Sequence, residues 1–510
     1  MILRQFCTAR TASRALSISS HARSTITMPL RARIGVNAMA QTSRSQSTDA
    51  TATAPAEPEN TEDDVLFDSI RGVRTITLNR PQKLNALSAS MAGKILPRLL
   101  EWQKSQMANV VVIKGTGDRA FCAGGDVAVL AEQNRMGPAG QQASIDYFAL
   151  EYKLDNLIAK YTKPYVAFMD GITMGGGVGL SLHGHFRIAT ERTLFSMPET
   201  TIGFFPDVGA SFFLPRLDGY LGTYLALTSE RLKGVQAYWA GVATHYIHSS
   251  NLQDLQDRLA ELEFNDHDDL QWRLEHINST IEEYTTGLPH NEPFKLAGET
   301  REAIDRCFRY NTIDEIMQAL RDEDSEWANR TINTLRSRSP IALRVTLLEM
   351  RYGAAWTINT AFMREFHMAR KFMNHGLHPD FVEGVEKQLA KPIEGFKQPP
   401  VWRPASIEES TDAMALKYLE IEDGAPALDL VTVHRETDFS NYPHAWLGLP
   451  SEDAVKLMLG KGERKTAGEL EKAILKQWDD KLGVKEKLKD IFQRKIKEGA
   501  DGIVEWKVEA

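Results

Sequence analysis

Cysteine is scarce in this 510-residue chain, which contains only Cys7, Cys122 and Cys307. Three irregularly spaced cysteines give no disulfide framework, so small disulfide-stabilised secreted proteins are excluded and a reducing compartment is favoured. Long apolar runs are missing as well, because no stretch reaches the roughly 18–20 residues that a membrane-spanning helix needs. The sequence therefore predicts no membrane span. Its 42% apolar and 25% charged residues are typical of a globular protein, and 510 residues are too many for one ordinary core, so two or three domains are expected.

Acidic residues are absent from the first 48 positions, which hold seven arginines and many Ser and Thr residues. This composition is typical of a mitochondrial transit peptide, and the continuous apolar stretch of about 7–15 residues found in a secretory signal is missing. We therefore predict a transit peptide over residues 1–48, cleaved near residues 44–49, and a mature protein in the mitochondrial matrix. The alternative is a tail that is merely disordered. A disordered polar linker is predicted over residues 49–64.

The protein is acidic. Its formal net charge is −8, and this becomes −15 when the seven arginines of the predicted transit peptide are left out. General affinity for nucleic acid is therefore not expected, although a local basic patch is not excluded.

Two histidines, His183 and His185, suggest a metal site at first sight. A two-residue spacing suits a helical site poorly, however, and no third ligand lies nearby in the sequence. We predict that both histidines are structural and that the protein holds no metal.

Short apolar runs alternate with helical patterns over the first half of the mature chain. Two strands joined by a turn at Arg71-Gly72 are predicted first, followed by a helix over residues 88–105. NVVVIKG and YVAFMDG are short apolar runs typical of strands buried in a sheet with helices on its flanks. From about Gly222 the apolar spacing becomes helical, until a proline-rich break at residues 391–406. This order predicts an α/β domain followed by a helical region.

Two glycine-rich segments follow predicted strands: FCAGGD at residues 121–126 and MGGGVG at residues 174–179. Glycines at a strand-to-helix junction let backbone N–H groups approach a ligand closely. One N–H from each segment can point at a single developing oxyanion, which is worth on the order of 5 kcal/mol or more for two donors. The alternatives are two ordinary tight turns, or a nucleotide-binding G-x-G-x-x-G loop, for which the acidic residue about 20 positions further on is missing.

Two carboxylates, Glu199 and Asp207, lie downstream of the second glycine-rich segment, and each follows a proline. Phe204 and Phe205 precede Asp207 closely, and an apolar environment raises the pKa of a carboxyl group through desolvation. Such a carboxylate acts as a base or a nucleophile in acyl chemistry. The alternatives are a surface acid or, for Asp207, the N-cap of a helix opened by Asp-Val-Gly-Ala.

From about residue 65 to residue 404 the chain resembles the crotonase (enoyl-CoA hydratase/isomerase) superfamily. The matching signatures, in order, are LNRPQKLNALS, AFCAGGD, KPYVAFMDGITMGGGVGL and HPDFVEGVEKQLAKP. The resemblance implies an α/β fold with a crotonase-type ββα spiral core over residues 65–290, completed by a helical region over residues 291–404. It also implies an acyl-CoA substrate whose thioester carbonyl binds the N–H groups of Gly125 and Gly176. CoA is then part of the substrate, and no cofactor is expected.

Departures from the superfamily pattern narrow the implied activity. Enoyl-CoA hydratases carry one catalytic Glu at the position of Gly179, while their second catalytic Glu matches Glu199. The segment PETTIGFFPDVGASFFLPRL is similar to the 3-hydroxyisobutyryl-CoA hydrolases of valine catabolism. In those enzymes the catalytic pair matches Glu199 and Asp207, and substrate contacts match Glu151 and Gly176. The resemblance thus implies thioester hydrolysis, with an enoyl-CoA isomerase as the less favoured alternative.

Residues 405–510 continue beyond this resemblance as a charged C-terminal extension. Its Lys-rich stretch at residues 472–497 is interspersed with acids, which favours a solvated amphipathic helix over a docking element. Some fungal relatives of these hydrolases are components of the small subunit of the mitochondrial ribosome. The resemblance therefore leaves a second function open: a structural component of that subunit, contacting its protein and rRNA through the extension, with or without hydrolase activity.

Overall fold

The computed structural model describes residues 61–265, 267–391, 398–432, 438–460 and 464–507. The predicted transit peptide, the predicted linker up to residue 60, and residues 392–397 of the proline-rich break lie outside these ranges. No helix of the described residues is both long enough and apolar enough to cross a bilayer.

The strands form two principal sheets. Their bounds are β1 (Val65–Ile70), β2 (Val73–Leu78), β3 (Val110–Gly115), β4 (Ala120–Cys122), β5 (Tyr165–Met169), β6 (Ile172–Met174), β7 (Phe186–Ala189), β8 (Leu194–Ser196), β9 (Leu232–Lys233), β10 (His245–Tyr246), β11 (Ile496–Glu498) and β12 (Val504–Trp506). A six-stranded sheet has the order β1-β2-β3-β5-β7-β10, and a four-stranded sheet has the order β4-β6-β8-β9. A two-stranded antiparallel sheet of β11 and β12 lies near the end of the chain.

The chain winds between the two principal sheets in a spiral. Strands β3, β5 and β7 pair in parallel in the first sheet, and each is followed by a strand of the parallel set β4, β6 and β8 in the second. A helix follows each of the first two strand pairs, so the repeating unit is ββα. This arrangement confirms the α/β fold with a ββα spiral core that the sequence predicted. It also aligns the carboxyl ends of β4 and β6, which is where ligand sites form in parallel sheets.

The helices cover the sheets and make up most of the second half of the chain. Their bounds are α1 (Ala89–Lys104), α2 (Val127–Arg135), α3 (Pro138–Ala159), α4 (Gly176–Leu182), α5 (Ala210–Phe213), α6 (Leu221–Thr228), α7 (Val235–Trp239), α8 (Leu252–Ala260), α9 (Leu270–Glu282), α10 (Gly298–Phe308), α11 (Ile313–Glu323), α12 (Glu326–Arg336), α13 (Pro340–Gly353), α14 (Ile358–Phe372), α15 (Asp380–Leu389), α16 (Asp412–Leu419), α17 (Glu452–Leu459), α18 (Ala467–Gln477) and α19 (Val484–Lys495). The predicted helix over residues 88–105 is α1, whose N-cap Ser88 accepts from the Met91 N–H.

The C-terminal extension packs against the rest of the protein. Its helices α18 and α19 bury Leu470, Ile474, Val484 and Leu488 in the same apolar cluster as the helical region. The sequence favoured a solvated Lys-rich helix, but several of its basic side chains are buried and paired. Lys487 Nζ lies 2.6 Å from Asp218 Oδ2, for example. Ion pairs between the extension and the core therefore replace the expected solvent contacts on that face.

Candidate active site

Two backbone amides meet where β4 and β6 end. The loop after β4 contains Gly124 and Gly125, and the loop after β6 contains Gly175, which precedes Gly176 at the start of α4. A Cβ atom at Gly176 would lie 3.4 Å from the Gly125 nitrogen, so the two amides are neighbours. No acceptor in the described part of the chain takes the Gly125 N–H, and the Gly176 N–H, as the first of a helix, has no acceptor within that helix. Two amides in this arrangement can share one carbonyl oxygen.

Close packing explains why both positions are glycine. A Cβ atom at Gly176 would lie 2.4 Å from Glu151 Oε1, and one at Gly125 would lie 2.9 Å from the Tyr147 hydroxyl oxygen. Contacts this short would force the neighbouring side chains to move. Glycine therefore keeps the amides accessible and leaves room for Glu151 directly beside them.

Two buried carboxyl groups, those of Glu151 and Glu199, lie beside the two amides, and a third, that of Asp207, is close enough for its charge to interact with both. Glu151 comes from the middle of α3, Glu199 begins a 3-10 helix (Glu199–Ile202) after β8, and Asp207 lies in the loop before α5. Their exposed fractions are only 2%, 5% and 5%. Oε1 of Glu199 faces the glycine loop, because a Cβ atom at Gly175 would lie 3.2 Å from it. All five residues that the sequence predicted as site residues are thus brought to one place.

Burial raises the pKa of each of these carboxyl groups. Desolvation is the main cause for Glu199, and the charges of Asp207 and Glu151 raise its pKa further. Desolvation and the charge of Asp207 raise the pKa of Glu151 in the same way. The pKa of Asp207 rises to about 7, again through desolvation, although a hydrogen bond from Tyr152 opposes the shift. The pKa of Asp207 thus lies near neutrality, as general acid–base catalysis requires.

Hydrogen bonds from several elements hold the loop that carries Asp207, residues 207–211, which we call the Asp207 loop. The Tyr152 hydroxyl donates to Asp207 Oδ2 at 2.6 Å. Further along the loop, Glu365 of α14 accepts from the Gly209 N–H at 2.7 Å and from the Ser211 N–H at 3.0 Å. The N-cap of α5 is Gly209, so Asp207 is not the helix cap that the sequence left as an alternative.

Asp155 occupies the space beside Gly179. A Cβ atom at Gly179 would lie 2.3 Å from Asp155 Oδ2, so no side chain fits there. Asp155 is fully buried, and neither of its carboxyl oxygens has a hydrogen-bond partner. Desolvation, followed by the charge of Glu151, raises its pKa well above the ordinary value. The carboxyl group that a hydratase carries at position 179 is absent here, and α3 supplies a different one next to that position.

The two histidines of the sequence analysis have separate partners. His183 Nε2 contacts the Val208 carbonyl and its Nδ1 contacts the Tyr442 hydroxyl, both at 2.7 Å. His185 instead accepts from the Tyr165 N–H at 3.3 Å, and its ring lies tilted beside that of His444 with 4.8 Å between centroids. They do not converge on a common point, and no group of metal-ligating side chains is found in the described residues.

Sequence reasoning missed four residues that shape the site: Tyr152, Asp155, His183 as a loop contact, and Glu365. Asp155 could have been predicted, since it follows Glu151 by four positions, and residues four apart share one face of a helix. Glu365 could not have been predicted, because it is 156 positions from Gly209, and only the tertiary fold brings the two together.

Several known proteins are similar to this chain over two thirds of its length or more. A family model described as enoyl-CoA hydratase/isomerase matches residues 73–419. The chain is 48% identical over 497 residues to the small ribosomal subunit protein mS47 of Neurospora crassa, and the match covers 95% of each chain. It is 43% identical over 351 residues to the mitochondrial 3-hydroxyisobutyryl-CoA hydrolase of Gallus gallus, covering 68% of this chain and 86% of the relative. Among solved structures, it resembles a carnitinyl-CoA dehydratase from Mycobacterium thermoresistibile, with 32% identity, a TM-score of 0.63, and coverage of 72% of this chain and 98% of that one.

Proposed function

Because the chain belongs to the enoyl-CoA hydratase/isomerase family, we propose that it hydrolyses 3-hydroxyisobutyryl-CoA to 3-hydroxyisobutyrate and CoA in the mitochondrial matrix. The observation that carries the proposal is that two neighbouring backbone amides lie beside the buried carboxyl group of Glu199, whose charge interacts with that of the buried Asp207. Relatives with the hydrolase name are mitochondrial proteins and support the same choice of substrate and compartment.

The two amides would bind the thioester oxygen. In this arrangement the Gly125 and Gly176 N–H groups donate to the carbonyl, and the bonds strengthen as negative charge develops on its oxygen. Loss of one such donor typically costs about 2.7–4 kcal/mol of transition-state stabilisation. Glu151, which lies against Gly176, would contact the acyl part of the bound substrate.

Glu199 would supply the attacking group. As an ionised carboxylate it either takes a proton from a water molecule that attacks the thioester carbon, or attacks that carbon itself. In both cases the C–S bond breaks, and the CoA thiolate leaves and is protonated. Attack by the carboxylate gives a mixed anhydride between Glu199 and the acyl group, which water then hydrolyses to the free acid and the restored carboxylate. Burial raises the proton affinity of Glu199, which makes it a stronger base than a solvated carboxylate. Asp207 would orient the 3-hydroxyl group or the water. The reaction consumes only water and the thioester, so it needs no cofactor.

The substitution Glu199→Gln tests this assignment. It keeps the size of the side chain but removes the base, so we expect kcat to fall by about 100-fold to 10,000-fold while affinity for the CoA thioester changes little. Release of free CoA from 3-hydroxyisobutyryl-CoA measures kcat, and calorimetry with a non-hydrolysable thioester analogue measures affinity. Release of CoA also distinguishes hydrolysis from the less favoured isomerase reaction, which keeps the thioester.

Glu349→Gln is the matched control. Glu349 is also a fully buried glutamate, and it lies close enough to Glu199 for the two charges to interact, but the mechanism does not use it. We expect its kcat to stay near that of the wild type. Wild-type turnover in Glu199→Gln, or an equal loss in both variants, would contradict the catalytic role of Glu199.

A second role in the small subunit of the mitochondrial ribosome is favoured by one specific observation. The match to mS47 extends over 95% of this chain, whereas the match to the Gallus gallus hydrolase covers 68%. We propose that the full chain associates with that subunit. Gradient sedimentation of a mitochondrial lysate in low salt tests this, with wild type and Glu199→Gln compared side by side. Co-sedimentation of both supports a role independent of catalysis, and free sedimentation of both contradicts it.

A further inference from the structure

The backbone of the Asp207 loop adopts an unfavourable conformation directly after the carboxyl group. Val208 has a φ of +56°, in the left-handed region that β-branched residues rarely adopt, and Gly209 follows at +83°. Such a conformation persists only where the surrounding structure holds it. The position of the Asp207 side chain therefore depends on the groups that bind Val208 and its neighbours.

His183 holds the carbonyl of Val208. The carbonyl oxygen can only accept, so the Nε2 atom of His183 carries the proton and donates at 2.7 Å. The other ring nitrogen, Nδ1, is then an acceptor, and the hydroxyl of Tyr442 donates to it at 2.7 Å. Burial lowers the pKa of His183 to about 4, which keeps the ring in this neutral form at physiological pH.

Tyr442 belongs to the C-terminal extension and is itself fixed. Its ring stacks edge to face on Phe212 of α5 with 5.0 Å between centroids. On the same stretch of chain, the carbonyl of Phe439 accepts from the Ile358 N–H at 3.0 Å, and the carbonyl of Ser440 accepts from Arg216 Nε at 2.9 Å. Residues 438–442, which we call the strap, thus cross α5 and the start of α14.

We propose that Tyr442 is a positioning residue for hydrolysis: through His183 it fixes the Val208 carbonyl and hence the carboxyl group of Asp207. The strap lies beyond residue 419, where the family match ends. The C-terminal extension therefore helps to position a residue of the catalytic centre, and does not serve only as a binding surface for partners. This inference rests on the proposed function, since it concerns the same reaction.

Tyr442→Phe tests the proposal because it removes one hydroxyl group and keeps the ring packed on Phe212. We expect kcat to fall by about 10-fold while KM changes by less than about 2-fold, since misplacement of a reacting group acts mainly on turnover. In a His183→Gln background the same substitution should have no further effect on kcat, because the connection is already broken.

Tyr238→Phe is the matched control. The Tyr238 hydroxyl also joins the core to the extension, donating to the Leu482 carbonyl at 2.6 Å, but it does so far along the chain from the strap and the Asp207 loop. We expect its kcat to match the wild type. Equal losses in the two variants would show that any loosening of the extension lowers turnover, and this would overturn the specific role of Tyr442.

Hydrogen exchange gives a readout that does not depend on activity. In Tyr442→Phe, amides of residues 207–213 should exchange at least about 5-fold faster than in Tyr238→Phe. Unchanged exchange together with unchanged kcat would overturn the proposal. If the wild type releases no CoA, the proposed function fails, but faster exchange in Tyr442→Phe would still establish the positioning of the loop.

Discussion

At the scale of single residues, the most informative position is Gly179. The sequence identified it as the place where a hydratase carries a carboxylate, and so argued for a different reaction. The structure supplies the physical reason that no side chain stands there, since the carboxyl group of Asp155 fills the space. The absence of a side chain at position 179 and the position of the Asp155 carboxyl group therefore depend on each other, because α3 packs against α4 at this point.

The pair Gly179 and Asp155 gives a prediction about stability. Gly179→Ala should lower the free energy of unfolding by about 1–3 kcal/mol, because its Cβ atom overpacks against Asp155 Oδ2. Adding Asp155→Ala should recover most of that loss. Urea denaturation of the wild type, both single variants and the double variant measures the coupling. Strictly additive changes would show that the two side chains do not compete for space.

At the scale of elements, several strands and helix α1 were predictable, whereas α3 was not. Strands β1, β2, β3 and β5 and helix α1 lie where the sequence periodicity and the turn residues predicted them. Helix α3 (Pro138–Ala159) buries residues on several sides, so it lacks the single apolar stripe that makes a helix recognisable. It carries Glu151, Tyr152 and Asp155, and the resemblance alone singled out Glu151.

The start of α4 gives a prediction at this scale. Gly176→Ala should abolish most activity, because its Cβ atom would lie 2.4 Å from Glu151 Oε1 and beside the Gly125 amide. Gly468→Ala is the matched control, since it changes a glycine near the start of α18 where nothing lies within 4 Å. It should leave kcat unchanged and raise the free energy of unfolding by about 0.5–1 kcal/mol. Assays of CoA release and urea denaturation of both variants measure the contrast, and retained activity in Gly176→Ala would argue against the oxyanion assignment.

At the scale of the whole molecule, the interior holds many titratable groups that are kept neutral. Desolvation raises the pKa of Glu349 well above its ordinary value and that of Glu365 to about 8. It lowers the pKa of His185 to about 3 and that of His378 to about 4. The carboxyl groups with raised pKa values lower the free energy of unfolding as pH rises above about 4.5, where they ionise in the unfolded chain. The histidines with lowered pKa values lower it as pH falls below about 6.5, where they become protonated in the unfolded chain. Together these two sets of groups favour maximal stability between the two pH values.

The substitution Glu349→Gln tests how the buried carboxyl groups affect the free energy of unfolding as pH changes. Both oxygens of Glu349 are buried without partners, so the substitution removes an ionisable group and no hydrogen bond. The folded-state pKa lies above that of the unfolded chain, so the cost of Glu349 is absent at low pH and grows as pH rises. We expect the variant to be more stable than the wild type by less than about 1 kcal/mol at pH 5, where an unfolded glutamate has only begun to ionise fully, and by at least about 2 kcal/mol at pH 8. Urea denaturation at both values checks this, with the exposed Glu302→Gln as a control, and equal changes at pH 5 and pH 8 would contradict it.

The bond between His183 and Tyr442 joins positions 259 residues apart. Synthesis proceeds from the N-terminus, so the Asp207 loop is made long before the tyrosine that holds it. A chain that is still being made, or that stops short of the strap, leaves the histidine without its donor. On the proposed mechanism, the chain must therefore be synthesised and docked at least as far as Tyr442 before the carboxyl group of Asp207 is held in its working position.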